Sequence, residues 1–222
     1  MDLDAADGAI GLLGGSFDPI HNGHLQLGRD ALAYLPLAQV RFLPAAQPWQ
    51  KKPMTASAEH RAQMVRLAIP ADSRNVLDMR EIERGGLSYS IDTVRELRAQ
   101  WPDRGLVLLM GADQFARFDT WRDWSEIADT AHIAVAQRFG TKPKLSSALQ
   151  ARLDARRGKP SSLTARRGGS IVEFEMTPVD ASATEVRRFL REPHSAVNKQ
   201  RLAAMVPALV LDYIQKHSLY RD

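Results

Sequence analysis

Residues 10 to 24 read Ile10-Gly-Leu-Leu-Gly-Gly-Ser-Phe-Asp-Pro-Ile-His-Asn-Gly-His24. Ile10, Leu12 and Leu13 suit a short buried strand, and Gly14-Gly15 removes Cβ atoms where the chain leaves the sheet, so a ligand could approach the backbone closely. Asp18-Pro19 marks a turn. From Asn22 onward Leu25, Gly28, Leu32 and Leu35 recur at helical spacing, which predicts a helix with one apolar face toward the sheet. His21 and His24, at i and i+3, fall together at its N-terminus beside unpaired backbone N–H groups. Free amides, the positive end of the helix dipole and two imidazoles suit anionic oxygens, above all phosphate. Taken singly, the glycine pair is an ordinary turn, and the histidines are surface residues or a metal pair. The order of strand, glycine turn and histidines at the helix start is what points to phosphate. No Gly-Lys-Ser/Thr follows and G-x-G-x-x-G is absent, so this is neither a P-loop nor a dinucleotide fingerprint.

A chain of 222 residues, 44% hydrophobic, can bury a full core as one domain. It has no cysteine, which excludes disulfides, thiolate zinc sites and cysteine nucleophiles. Met1 to Ala9 does not read as a signal peptide, and no apolar run approaches the roughly 20 residues of a membrane span. The expectation is a cytoplasmic protein without membrane contact. Between Arg138 and Gly168 nine Lys or Arg face one acid, Asp154, giving +8 and leaving the rest of the chain at −4 against an overall +4. Such a segment could attract nucleic acid. With no aromatic interleaved beyond Phe139 to stack bases, it reads instead as a solvated, partly mobile insertion at about 138–168, and no nucleic-acid partner is expected.

Outward from the opening stretch, Val40–Leu43, Val76-Leu77, Leu106–Met110, Ala131–Ala136 and Ile171–Phe174 read as further strands. Helices capped by Ser57 and Ser90 separate some of them. The alternation predicts an α/β fold, a Rossmann-like doubly wound parallel sheet with helices on both faces and a C-terminal helical segment from about residue 182. Trp101 and Trp124 are expected in the core, whereas Trp121 is open between core and binding. Gly111-Ala112-Asp113 sets a carboxylate just past a buried strand, where open α/β sheets place ligand contacts. Ser182 with Glu185 reads as a capping box, and Thr184 and Arg187 share one face near that helix's positive end, a second anion site. Lys51, at the tip of a loop with three prolines, could reach a phosphate.

Gly14-Gly-Ser-Phe-Asp-Pro-Ile-His-Asn-Gly-His24 resembles the signature of the H-x-G-H nucleotidyltransferases, and its long form is similar to the nicotinate mononucleotide adenylyltransferases. Ala181-Ser-Ala-Thr-Glu-Val-Arg187 resembles the I-S-S-T-x-I-R motif of the same superfamily, with Ala181 for the isoleucine and Ala183 for the second serine. Gly111-Ala-Asp-Gln-Phe115 followed by Thr120-Trp121 resembles the family's G-x-D…W segment. The Pro207…Tyr220 tail resembles its ending. In the loop near Lys51 the family commonly has His-Lys, and Gln50 stands in place of the histidine.

The resemblance implies transfer of AMP from ATP to nicotinate mononucleotide, giving nicotinate adenine dinucleotide and pyrophosphate in NAD biosynthesis. It implies His21, His24 and Arg187 as catalytic residues. Gly14, Gly15, Ser16, Phe17, Gly111, Asp113, Ser182 and Thr184 would join them in holding ATP. Ser16, Lys51, Ser88, Tyr89 and Trp121 would hold the mononucleotide. Mg²⁺ would arrive with ATP and need no protein metal site. A homodimer is compatible with this reading. The rival acceptors are pantetheine phosphate and polyol phosphates, whose enzymes typically lack the G-x-D…W segment. An RNA-binding module built on 138–168 is the rival of another class.

Overall fold

A computed structural model describes residues 7–49, 54–71, 73–137, 144–192 and 196–221. In chain order the elements are β1 (Ala9–Gly15), α1 (Asn22–Tyr34), β2 (Leu37–Pro44), β3 (Gln47–Pro48), α2 (Ala58–Ala68), β4 (Asn75–Leu77), α3 (Arg80–Arg84) and β5 (Leu87–Ser88). They continue with α4 (Ser90–Gln100), β6 (Leu106–Gly111), α5 (Ala112–Phe115), a 3₁₀ turn at Phe118–Thr120, α6 (Trp124–Thr130) and β7 (His132–Gln137). The last are α7 (Ser147–Arg156), α8 (Ser162–Ala165), β8 (Ile171–Glu175), α9 (Ala183–Arg191), α10 (Ala196–Met205) and α11 (Ala208–Lys216).

Six strands form one parallel sheet in the order β4-β2-β1-β6-β7-β8, and β3 pairs with β5 in a separate two-stranded lip. The chain winds outward from β1 in one direction and then returns to start again at β6, so the order reverses between these two strands. Open sheets bind ligands at such a reversal, beyond the carboxyl ends of the strands. Here β1 and β6 pair only through Leu12 and Leu108, whereas β1 stays paired with β2 through Gly15 and Pro44. Beyond Leu12 the two central strands therefore part, and the cleft between them opens at Gly14-Gly15 and Gly111.

Apolar side chains fill both faces, as near-continuous hydrophobic strands require. One cluster joins Leu13, Val107 and Ala134 to α1, α2, α9 and α11. The other joins Leu12, Leu108 and Val135 to α4, α6 and α7. Gly28 lies in the buried stripe of α1, and a Cβ there would come within 3.0 Å of the Phe42 ring. Its hydrogen lets the helix sit close on the sheet. Trp101 is buried beneath the Arg41 guanidinium, 4.7 Å from the ring centre.

One sequence reading changes. Ser90 is the first residue of α4 and Tyr89 occupies its cap position without a side-chain capping bond. The basic stretch, among its described residues, is largely exposed and lies in the connection from β7 to β8, where α7 and α8 bury Leu149, Leu153 and Leu163. Its arginines lie on the outer side, where Arg152 and Arg156 pair with Asp129 and Arg157 with Glu173. The physical reason is the Leu149 and Leu153 spacing of one helical turn, which gives α7 a core-facing stripe beneath its charges.

Candidate active site

The turn that leaves β1 is held open by buried polar groups. Phe17 adopts a positive φ of 47° and sends its ring into the core, under Gly15 and edge-on to His24 at 5.0 Å. That ring is buried, so of the residues assigned to ATP, Phe17 has its backbone to offer. Asp18 follows, only 4% exposed, and its carboxylate accepts three hydrogen bonds. Two come from the Thr55 and Ala56 N–H groups at 2.9 and 3.1 Å, and one from the Tyr220 hydroxyl at 2.7 Å. Arg61, 1% exposed, donates to the carbonyls of Ser16 at 2.7 Å, Ala46 at 2.9 Å and Ala56 at 3.2 Å. Burial pulls its pKa down and the charge of the nearby Asp18 opposes that shift, so a buried guanidinium bonded to three loop carbonyls staples the turn.

The same turn positions both phosphate motifs. His21 caps α1 with extended backbone, and His24 Nδ1 accepts the His21 N–H at 3.3 Å, the returning half of a capping box. A ring nitrogen that accepts carries no hydrogen, so the proton of neutral His24 sits on Nε2. The two rings stack 3.7 Å apart between centres. Ser182 Oγ accepts the Glu185 N–H at 3.3 Å and donates to the Glu185 carboxylate at 3.0 Å, so the expected cap is present with its hydroxyl turned to the acid. Arg187, one helical turn past Thr184, donates to the Asp18 carbonyl at 2.6 Å. The second motif is thus bolted to the first.

Two cavities of about 280 Å³ each open at the strand parting. The first runs from Gly14, Ser16 and His24 to Glu81, Ser88 and Trp121. The second is lined by His21, His24, Gly111, Asp113, Met176 and Ala181. They share His24, Leu27 and Gly111. Reacting groups seated in the two halves would meet in front of the histidines. A further cavity, near 510 Å³, lies at Arg156, Arg157 and Arg166 on the crossover.

The remaining candidates distribute as follows. Ser88 is buried, and its hydroxyl accepts the Ala46 N–H at 2.9 Å, which spends it on the cavity wall. Tyr89 lies between Trp49, 5.8 Å away, and the Arg122 guanidinium at 4.7 Å. Trp121 lines the first cavity, and its buried Nε1–H has no acceptor among the described residues. Trp124 packs on Phe118 at 5.9 Å. Lys51 lies outside the described residues. Thr184 is exposed beside Arg187, their side chains 3.5 Å apart. Sequence reasoning missed Asp18 as an acceptor, Arg61, Trp49 and Glu81. Trp49, between Pro48 and the loop lysines, was the visible one: an aromatic in a proline loop beside a suspected phosphate site.

Among the described residues no three His, Asp or Glu converge to hold a metal ion, and no helix is long and apolar enough to cross a membrane.

The parallel sheet reverses its order at this cleft, and residues 12–189 match the family model described as cytidylyltransferase-like, a class of nucleotidyltransferases. Over 219 residues the chain is 42% identical to the "Probable nicotinate-nucleotide adenylyltransferase" of Dechloromonas aromatica, with 96% of this chain and 98% of that protein covered. A relative of the same name from Bordetella petrii is 42% identical over 212 residues, with the same coverage. Among solved structures, Plasmodium falciparum nicotinic acid mononucleotide adenylyltransferase complexed with NaAD matches with a TM-score of 0.72 at 17% identity, over 96% of this chain and 98% of that one. At that identity the likeness speaks for the fold. The chain belongs to the nicotinate-nucleotide adenylyltransferase family, nucleotidyltransferases of NAD biosynthesis.

Proposed function

We propose that the chain transfers AMP from ATP to nicotinate mononucleotide at the two cavities that meet at His24. The observation that carries this is the shared wall of His24, Leu27 and Gly111, which sets two ligand-sized spaces on either side of an anion-binding helix start. Adenosine takes the half beside Gly111 and Asp113, and the mononucleotide takes the half beside Trp121, with its phosphate toward Ser16 and Lys51.

A phosphate oxygen of the mononucleotide attacks the α-phosphorus of ATP in line, a new P–O bond forms, and the bond to pyrophosphate breaks with its electron pair leaving on that group. Such a reaction needs placement and charge neutralisation more than covalent catalysis. His24, with its proton on Nε2, donates to the α-phosphate oxygens, and His21 shares that role with the free amides of α1. These donors act where charge develops, where they lower the barrier most. Arg187 and Thr184 hold the β and γ phosphates, and Arg187 ties their position to the turn at Asp18. Mg²⁺ comes bound to the phosphate oxygens of ATP and neutralises part of their charge.

The test is pyrophosphate release by the purified chain with ATP and, side by side, nicotinate mononucleotide, nicotinamide mononucleotide and pantetheine phosphate. Rapid release with a pyridine mononucleotide is expected. Release with pantetheine phosphate alone overturns the assignment.

A further inference from the structure

Resting on that reading, we propose that Glu81 is the counter-charge for a cationic pyridinium, so that the mononucleotide cavity selects the oxidised ring over a neutral dihydropyridine. Glu81 sits in α3 at 6% exposure and lines the first cavity, opposite the phosphate turn. Among the described residues lining that cavity only His24 and Glu81 are ionisable, so Glu81 is the one carboxyl among them.

Its neighbours are donors. Arg84 Nη2 donates to Thr93 Oγ1 at 3.1 Å, so the Thr93 hydrogen is directed onward to Glu81 Oε1 at 2.8 Å. Burial raises the pKa of Glu81 above the ordinary carboxylate value, and the Thr93 and Ser88 hydroxyls and the Arg84 charge, which favour the ionised form, offset only part of that rise. The Arg84 guanidinium itself is turned outward to Glu96, at 2.6 Å. Among the described residues that line the cavity none is a Lys or Arg, and a buried carboxylate without a facing cation is costly.

The walls suit the same ligand. Trp49 and Trp121 line the cavity with Glu81. Indole faces are electron-rich and attract cations, most of all where water is displaced. Two indoles and a carboxylate make a cation site, and the cation a pyridine mononucleotide brings is its quaternary ring nitrogen. A dihydropyridine keeps the stacking and loses the charge. The ring's own carboxylate is repelled by Glu81, so the contrast must hold that substituent constant.

The experiment measures kcat/KM for nicotinate mononucleotide and for its 1,4-dihydro form with the same ATP. Wild-type protein should favour the oxidised ring by about tenfold or more, the scale of one partly screened charge contact. E81Q keeps the shape and removes the charge, and should lower the oxidised substrate about tenfold while the dihydro substrate and the KM for ATP stay within about twofold. An equal fall for both rings would make Glu81 a wall residue only and overturn the proposal. Equal use of the two rings by wild-type protein overturns it without any variant. No turnover of either ring would remove the adenylyltransfer reading itself, and this inference with it.

Discussion

Tyr220→Phe removes one oxygen and tests how far the turn after α11 supports the turn after β1. Both ends of the contact are dry: Tyr220 is 3% exposed and Asp18 4% exposed. The hydroxyl bonds Asp18 Oδ1 at 2.7 Å, and the Ala56 N–H reaches the same oxygen at 3.1 Å. Burial and the adjacent carboxylate push the phenol pKa far up, so it is a neutral donor at any working pH. Phenylalanine keeps the ring packing, and the loss is therefore that of one hydrogen bond to a charged group, about 1.5–3 kcal/mol. For a domain of this size that lowers Tm by about 4–10 °C. The Asp18 carbonyl holds Arg187, so loosening the turn should also raise KM for ATP severalfold with a smaller change for the mononucleotide. Scanning calorimetry and initial rates read both quantities. A Tm within about 1 °C of wild type, together with an unchanged KM for ATP, would refute the idea that this bond fixes the turn.

Three further outcomes follow from the same geometry. His24→Ala should lower kcat by about a hundredfold or more with a lesser effect on ATP affinity, measured as pyrophosphate release, because its donor acts in the transition state; activity within severalfold of wild type would sink the assignment. Arg61→Met strands the Ser16, Ala46 and Ala56 carbonyls and the Asp18 charge, and denaturant melts should show a loss of about 3–5 kcal/mol. His132 is fully buried, with Nδ1 accepting the Ser170 N–H and Nε2 on the Arg166 carbonyl, and burial depresses its pKa below the ordinary 6.5. The unfolded chain then binds the extra proton first, so its contribution is complete above about pH 6.5 and is lost as pH falls below that value. Melting curves from pH 7.5 to 5.5 should slope downward, and less steeply in His132→Gln.

The strands were readable because a parallel sheet covered on both faces needs nearly unbroken apolar runs, and Leu106–Met110 or Ala131–Ala136 can be little else. The helix starts at His21 and at Ser182 were readable because histidine pairs and a Ser cap with Thr-x-x-Arg have a local logic there. Arg61 and Asp18 had none. An arginine inside an amphipathic helix reads as solvated until three loop carbonyls converge on it, and the partner of Asp18 stands 202 positions away. Glu81 was hidden for the same reason, since its donors come from β5 and α4. The lip formed by β3 and β5 is two residues on each side, too short for any period to register. In the basic segment the signal beside charge was Leu149 and Leu153, one helical turn apart, the covered stripe of an otherwise exposed helix.

The bond from Tyr220 to Asp18 also sets an order of events during synthesis. The glycine turn emerges early, as does Arg61, and the sheet can begin to assemble around them. The third donor to Asp18 exists only once Tyr220 has left the ribosome, and Arg187 arrives shortly before it. A nascent chain can therefore gather its sheet while the turn at Asp18 still lacks one of its three donors.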